Sequence, residues 1–195
     1  MLLACITNPD DIGEEKPDLV VLPEYIDRAV VRRVARDNPD TVIATAVEIG
    51  NRSIGRLIYR GRNWINYRKI DTDWRTIGTG ETPRCAVRHF PHMSVGLVIC
   101  MDIQNPTFVH EVVRQLRLGR TPYKILCIPA DMSSEWFSGS DTLLDDFEGV
   151  HVAMSDWPDD GGPMKRPQSP SFITDTHGRK VVKRAGSEAI KLRLD

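Results

Sequence analysis

Residues Asp18–Glu24 read DLVVLPE, an apolar run that ends in proline and a carboxylate. Such a run is typical of a strand buried on both faces, since a strand with one face in water alternates apolar and polar residues. The next segment, Asp27–Asp37, has valines at helical spacing and is ended by Asn38-Pro39. Thr41–Glu48 then predicts another strand. A strand, a helix and a second strand in succession predict an α/β layered domain.

Short apolar runs on both sides of this unit predict further strands. These strands are Leu2–Thr7, Ile54–Tyr59, Asn63–Tyr67, Ala86–Phe90, Ser94–Ile99, Lys124–Ile128, Val150–Ser155, Ser171–Thr174 and Lys180–Val182. Asn105 predicts the N-cap of a helix that has Pro106 at its first position, and Gly119 ends it. A weaker helical pattern spans Asp141–Gly149, and Trp157–Pro170 predicts a surface loop.

Composition limits the functional classes. The chain has 195 residues, of which 41% are hydrophobic and 27% charged, which is typical of one globular domain. A formal net charge of -1 without a basic run argues against nucleic acid as the main partner. No apolar stretch reaches the roughly 18 residues that span a bilayer. The N-terminus turns polar too early for a signal peptide, so we predict a cytoplasmic protein without membrane contact.

The sequence carries no signature of a metal or cofactor site. Its four cysteines form no CxxC pair, its histidines lack metal-ligand spacing, and no glycine-rich nucleotide motif occurs. Disulfides are not expected without a secretory signal. Cys5 and Cys127 lie inside apolar runs and are interpreted as small buried hydrophobic residues.

Three reactive side chains of different chemistry lie at the ends of predicted strands. Glu24, Lys69 and Cys100 each follow an apolar run. Because chemistry in α/β sheets gathers beyond the carboxyl ends of the strands, the three are candidates for one site. Individually they are also explained as a solvated carboxylate, part of a basic surface and a buried thiol. A strand end that precedes Asp102 and a helix start is a setting that can lower a thiol pKa.

These three groups together suffice for acyl-transfer chemistry. A thiolate attacks an electrophilic carbon and forms a thioester-type intermediate. A carboxylate takes the thiol proton, passes one to the leaving nitrogen and later activates water. A fixed ammonium stabilises the oxyanion of the tetrahedral state. Such a scheme needs neither metal nor organic cofactor.

Three sequence blocks carry a resemblance to a known family. Asp18–Glu24 (DLVVLPE), Tyr67–Lys69 (YRK) and Val95–Asp102 (VGLVICMD) resemble the signature blocks of the nitrilase superfamily, the carbon–nitrogen hydrolases, in the same order. Ile125–Met132 and Ser169–Val181 are similar to later blocks more loosely. The resemblance implies that the catalytic Glu, Lys and Cys of the family are Glu24, Lys69 and Cys100.

The resemblance also implies an architecture. It predicts a single carbon–nitrogen hydrolase domain over residues 1–195, folded as a four-layer α-β-β-α sandwich. The first-layer helix is shortened, because only Asn8–Pro17 separate the first two strands. Subunits of the family often join through helices near the nucleophile, here Asn105–Leu118 and Asp141–Gly149, so a homodimer or higher oligomer is expected. The apolar stripe of the first of these helices could instead pack on the chain's own sheet.

Further residues are candidates for the substrate pocket. Glu81 is the one glutamate between Lys69 and Cys100 and could assist catalysis, or be a plain loop residue. The backbone N–H of Met101 could help to hold the oxyanion. Candidate lining residues after a predicted strand are Asp131, Met132 and Trp136, of which Trp136 is equally explained as core.

The sequence therefore predicts a cysteine-dependent hydrolase of non-peptide C–N bonds, acting on a small amide and less plausibly on a nitrile or carbamoyl compound. Two alternatives stay open. One is a nitrilase-like scaffold that binds a partner or ligand without turnover. The other is an acyltransferase that uses the same acyl-enzyme.

Overall fold

The computed structural model of the chain describes residues 1–50, 52–69, 86–132, 147–157, 170–184 and 189–195. Within them lie twelve strands and two α-helices, α1 (Arg28–Asp37) and α2 (Pro106–Leu118). The strands are β1 (Leu2–Cys5), β2 (Leu19–Glu24), β3 (Val42–Ile49), β4 (Arg52–Tyr59), β5 (Arg62–Arg68), β6 (Val87–His89), β7 (Met93–Leu97), β8 (Tyr123–Pro129), β9 (His151–Ser155), β10 (Ser171–Thr174), β11 (Lys180–Arg184) and β12 (Ile190–Arg193).

The strands form two mixed six-stranded sheets, which confirms the predicted α/β class. The first sheet has the order β12-β1-β2-β3-β4-β5 and the second the order β11-β10-β9-β8-β7-β6. In each sheet three neighbouring strands are parallel, β1 to β3 in the first and β7 to β9 in the second. The outer strands pair antiparallel. The parallel strands are the buried ones, which is why their sequences are almost continuously apolar.

The main core lies between the two sheets. Inward-facing side chains of both, such as Leu57 and Leu97, form one apolar cluster. Gly55 shows how closely the sheets approach, because a Cβ there would lie 2.8 Å from the Tyr67 ring and 2.9 Å from Leu97. The predicted interpretation of Cys5 and Cys127 is confirmed, since both are free thiols inside this core.

The two helices cover the outer faces of different sheets. On α1, Val31 and Val34 pack with Ile43 and Val47 in a second apolar cluster on the outer side of the first sheet. The helix begins as its sequence predicts, because the Asp27 carboxylate accepts a hydrogen bond from the Ala29 N–H.

Helix α2 covers the second sheet. The Asn105 side chain accepts a hydrogen bond from the Phe108 N–H at 3.1 Å, and Pro106 occupies the first turn, as predicted. The apolar stripe of α2 packs on the chain's own sheet. A Cβ at Gly96 would lie 2.9 Å from Leu116 and 3.0 Å from Val112.

Some elements differ from the sequence predictions. A 3₁₀ helix, Pro9–Ile12, forms where no element was predicted, and it buries Ile12 beside the outer face of the first sheet. Strand β12 was not predicted, because four residues with two basic side chains give a weak strand pattern. Of the predicted helix Asp141–Gly149, the structure describes residues 147–149, of which 148 and 149 lie in a turn. The other residues of that predicted helix lie outside the described residues.

Within the described part of the chain, neither helix has the length and apolarity needed to cross a bilayer.

Candidate active site

Glu24 is the last residue of β2 and is fully buried between the sheets. Its N–H donates to the Ala130 carbonyl at 3.1 Å, so the ends of β2 and β8 are joined at this point. The pairing of β2 with β3 shifts register between Val21 and Glu24. Strict alternation would place the Glu24 side chain on the outer face with Val20 and Leu22. The shift turns the carboxylate inward instead, which is a common use of such irregularities.

Lys69 follows β5 by one residue and reaches the same point. Its backbone N–H donates to the Ser53 carbonyl at 2.9 Å. Its Nζ donates to the Glu24 Oε1 at 2.7 Å and Oε2 at 2.9 Å, so both carboxylate oxygens are engaged. Burial lowers the Lys69 pKa, but a Cys100 thiolate, when one forms, and the Glu24 carboxylate raise it more, and the net pKa lies above the usual value. Lys69 is therefore a fixed ammonium at neutral pH.

Tyr25 covers this ion pair from one side. The Lys69 Nζ lies 5.8 Å from the centre of the Tyr25 ring. Burial and the Glu24 charge raise the Tyr25 pKa to about 12, so its hydroxyl remains protonated. Its backbone has a φ of 62°, a left-handed conformation that non-glycine residues seldom adopt.

Cys100 begins a 3₁₀ helix, Cys100–Gln104, three residues beyond the end of β7. Its φ of 43° also lies in the left-handed region. That conformation costs a residue with a Cβ about 1–2 kcal/mol, and such strain concentrates at functional sites. Tyr67 supports the turn from β5, since its hydroxyl accepts a hydrogen bond from the Ile99 N–H at 2.6 Å and donates to the Asp102 Oδ2 at 3.3 Å.

The Cys100 sulfur lies in the same buried space as the ion pair. It lies 3.6 Å from the Asp131 carbonyl oxygen, to which it donates, and it is near enough to the Glu24 carboxylate for that group to raise its pKa. Burial and the Glu24 charge raise the Cys100 pKa well above its usual range, although the Lys69 charge lowers it. The sequence suggested a setting that lowers this pKa, and that expectation was wrong. Deep burial and an adjacent carboxylate outweigh one ammonium, so the resting group is a neutral thiol.

A second buried network, centred on Asp156, holds the same strand ends. The Asp156 carboxylate accepts hydrogen bonds from the Met132 N–H, at 3.3 and 3.2 Å, and from the Trp157 N–H at 2.8 Å. The Trp157 indole N–H donates to the Glu24 carbonyl at 2.7 Å. Asp156 thus links two parts of the site. Through Met132 it holds the segment whose Asp131 carbonyl accepts the Cys100 thiol, and through Trp157 it is joined to Glu24.

Asp156 is itself an unusual acid. Burial raises the Asp156 pKa, the hydrogen bonds from Trp157 and Met132 lower it, and the Asp131 and Glu24 charges raise it. The net pKa is about 8. A carboxyl group that is mostly protonated at pH 7 can donate a hydrogen bond as well as accept one.

The other predicted pocket residues divide into two groups. Asp131 and Met132 are buried beside the sulfur and the Asp156 network, and Met101 is half-buried next to Cys100. Glu81 and Trp136 lie outside the described residues, as do residues 158–169 of the predicted loop. Among the described residues, no group of three or more His, Cys, Asp or Glu side chains could hold a metal ion.

Tyr67, Asp156 and Trp157 support the site, although the sequence assigned none of them a role in it. Tyr67 lies inside the YRK block, where its pattern predicts a strand residue. Asp156 and Trp157 follow β9, so the rule that directed attention to the ends of the other strands could have found them.

Tyr67→Phe is expected to lower the free energy of unfolding by about 1–3 kcal/mol, because the Ile99 N–H loses its buried acceptor and Asp102 a donor. Denaturant unfolding of both proteins measures the difference. Tyr59→Phe is the matched control, because the half-buried Tyr59 has no recorded hydroxyl hydrogen bond within the described residues. Equal losses in both variants would contradict the role assigned to the Tyr67 hydroxyl.

Asp156→Asn is expected to remove a pH dependence of stability. The folded protein holds the Asp156 proton up to about pH 8, whereas the unfolded chain loses it near 3.8. The folded state therefore binds more protons between these values, and the free energy of unfolding falls as pH rises across the window. The shift sets an upper bound of about 6 kcal/mol on that fall. Unfolding curves at pH 4.5, 6 and 8 that change equally in wild type and Asp156→Asn would contradict the assignment.

Solved structures match this fold along the whole chain. Nit3 of Saccharomyces cerevisiae, a member of branch 10 of the nitrilase superfamily, is 14% identical, with a TM-score of 0.73, covering 100% of this chain and 90% of that one. A mutant of an amidase from Nesterenkonia sp. AN1 is 14% identical, with a TM-score of 0.70 and coverages of 97% of this chain and 87% of that one. Its structure contains the acetamide moiety of fluoroacetamide covalently added to the active-site cysteine.

A third match is XC1258 of Xanthomonas campestris, a CN-hydrolase superfamily protein with an arsenic adduct in the active site. It is 16% identical, with a TM-score of 0.70 and coverages of 98% of this chain and 89% of that one. No protein-family model and no curated protein matches the sequence. The predicted resemblance is confirmed at the level of the fold, which is that of nitrilase superfamily structures.

Proposed function

We propose that this chain, whose fold is that of nitrilase superfamily structures, is a cysteine-dependent hydrolase of non-peptide C–N bonds. Its substrate is a small amide, and a nitrile or carbamoyl compound is the less favoured choice. Glu24, Lys69 and Cys100 are the catalytic residues. The reaction proceeds through a thioester and uses no metal or organic cofactor.

One observation carries the proposal: a thiol, a carboxylate and an ammonium from three different strand ends share one buried space. Lys69 engages both oxygens of Glu24, and both groups are near enough to Cys100 to shift its pKa, Glu24 upward and Lys69 downward. Burying two opposite charges is costly and seldom adds net stability. Their juxtaposition with a thiol on a strained turn is better explained by chemistry than by folding.

The first half-reaction begins from the neutral thiol. Glu24 removes the Cys100 proton as the sulfur attacks the carbonyl carbon of the amide. The carbonyl π electrons move onto oxygen, and the Lys69 ammonium and the Met101 N–H stabilise that oxyanion. Collapse of the tetrahedral state breaks the C–N bond, and Glu24 returns its proton to the leaving nitrogen, which departs as ammonia or an amine.

The second half-reaction restores the enzyme. Glu24 takes a proton from water, whose oxygen attacks the thioester carbon. Collapse breaks the C–S bond, and the carboxylic acid leaves as the sulfur regains a proton. The raised Cys100 pKa fits this scheme, because the thiol needs the base at the moment of attack and does not persist as a thiolate.

We also propose the domain organisation, the pocket residues, the compartment and the oligomeric state of the protein. Residues 1–195 form one catalytic domain, a four-layer α-β-β-α sandwich in which Pro9–Ile12 stands for a shortened first-layer helix. Asp131 and Met132 border the pocket, and Glu81 and Trp136 remain candidates for its lining on sequence grounds alone. The protein acts in the cytoplasm as a homodimer or higher oligomer.

The test is release of ammonia and intact mass after incubation with small amides, nitriles and acyl esters. Fluoroacetamide is included because its acetamide moiety is covalently added to the active-site cysteine of the mutant of the structurally similar amidase. We expect ammonia from at least one amide and a mass increase that peptide mapping assigns to Cys100. Ester adducts that transfer to added amines, without hydrolysis, would favour the acyltransferase.

A different result would support the non-catalytic scaffold. That result is neither adduct nor ammonia with any of these compounds, in a protein that is shown to be folded.

A further inference from the structure

A cleft on the outer side of the first sheet is lined by arginines and lies apart from the candidate active site. It opens between α1 and strands β4 and β5, with a volume of about 470 Å³. Its lining includes Arg28, Arg32 and Arg36 from the helix and Arg56 from β4. Arg56 lies on the face of Ile58, which packs beneath α1, whereas Glu24, Lys69 and Cys100 lie between the sheets.

Three arginines of α1 lie on one side of the helix and line the same cleft. Arg28, Arg32 and Arg36 are four residues apart, so they project from the same side of α1. Arg56 faces them across the cleft. No carboxylate occurs among the described residues that line it. Within the described part of the chain, Arg36 is the one arginine of the four that forms an ion pair, with Asp37 at 2.9 Å.

Arg56 carries a buried hydrogen-bond donor. Its Nε is buried and has no hydrogen-bond partner among the described residues. Burial lowers the Arg56 pKa, and the charges of Arg28 and Arg32 lower it further. Uncompensated like charges and an unpaired buried donor both oppose folding. An anion in the cleft would relieve both at once.

We propose that this cleft binds the phosphate group of a small molecule. Guanidinium groups donate paired, parallel hydrogen bonds that match phosphate oxygens, and several of them together favour a multiply charged anion. The apolar floor, which includes Val31, Val47 and Ile58, would contact an uncharged remainder of the ligand. The volume lies within the range of small-molecule sites. This inference does not depend on the proposed hydrolase activity.

The test is titration calorimetry of the full chain with inorganic phosphate and pyrophosphate, at constant ionic strength and pH 7.5. Citrate is the carboxylate comparison. We expect both phosphates to bind and pyrophosphate to bind more tightly. Arg56→Gln should weaken binding about tenfold or more, since it removes a charge-assisted donor. Arg32→Gln should weaken binding similarly. Because Arg32 is exposed, this substitution should leave the free energy of unfolding nearly unchanged.

Arg33→Gln is the matched control. It removes the same charge from the same helix, but Arg33 lies outside the cleft lining and pairs with Asp10 at 3.5 Å. We expect it to change affinity by less than about twofold, because a screened surface charge contributes little. Absence of binding by either phosphate would overturn the proposal. So would equal weakening by Arg33→Gln and Arg56→Gln, or binding of citrate as tight as that of pyrophosphate.

Discussion

Cys100→Ala is expected to abolish both the covalent adduct and the release of ammonia. Without the sulfur no thioester forms, and Glu24 and Lys69 have no nucleophile to activate. Removal of a nucleophile from an enzyme of this type costs about 10⁴-fold or more in kcat. Intact mass and ammonia release, measured beside wild type on the same amide, check this result.

Cys127→Ala provides the matched control for this substitution. Cys127 is also a fully buried free thiol, but it lies in the core within β8. The control should lose a little stability and keep the adduct and the turnover. An adduct that persists in Cys100→Ala, or turnover lost equally in both variants, would show that Cys100 is not the nucleophile.

Lys69→Met is expected to lower the free energy of unfolding by about 3–5 kcal/mol, because it leaves a fully buried carboxylate without its cation. The side chains of Glu24 and Lys69 are 0% and 12% exposed, so water cannot replace the lost ammonium. Turnover should fall by about 10²–10³-fold, as after loss of one oxyanion donor. Denaturant unfolding and kcat for the same amide measure the two effects.

The double variant Glu24→Gln/Lys69→Met separates folding from catalysis. Removal of both charges should restore most of the lost stability, since a neutral pair carries no desolvation penalty. Turnover should not return, because the general base is also absent, a loss of about 10²–10⁴-fold. A double variant as unstable as Lys69→Met, or one that regains turnover, would contradict the ion-pair argument.

Much of the site's framework could be predicted because it is encoded locally. An apolar run predicts a strand, and Asn105 with Pro106 predicts a helix start, since the responsible contacts lie within a few residues. The positions of Glu24, Lys69 and Cys100 at strand ends follow from the same local patterns. By contrast, β12 has too short and too polar a pattern to identify, and its pairing with β1 forms it.

The sequence by itself determined the α/β class, the order of the first eleven strands and of the two α-helices, and which reactive groups stand at strand ends. Only the tertiary structure decided which way those groups point and what surrounds them. The register shift that turns Glu24 inward depends on its pairing with β3. The hydrogen bond from Trp157 to the Glu24 carbonyl joins residues 133 positions apart. The upward shift of the Cys100 pKa follows from burial of the thiol between the two sheets. Such effects depend on packing in three dimensions, which local periodicity does not encode.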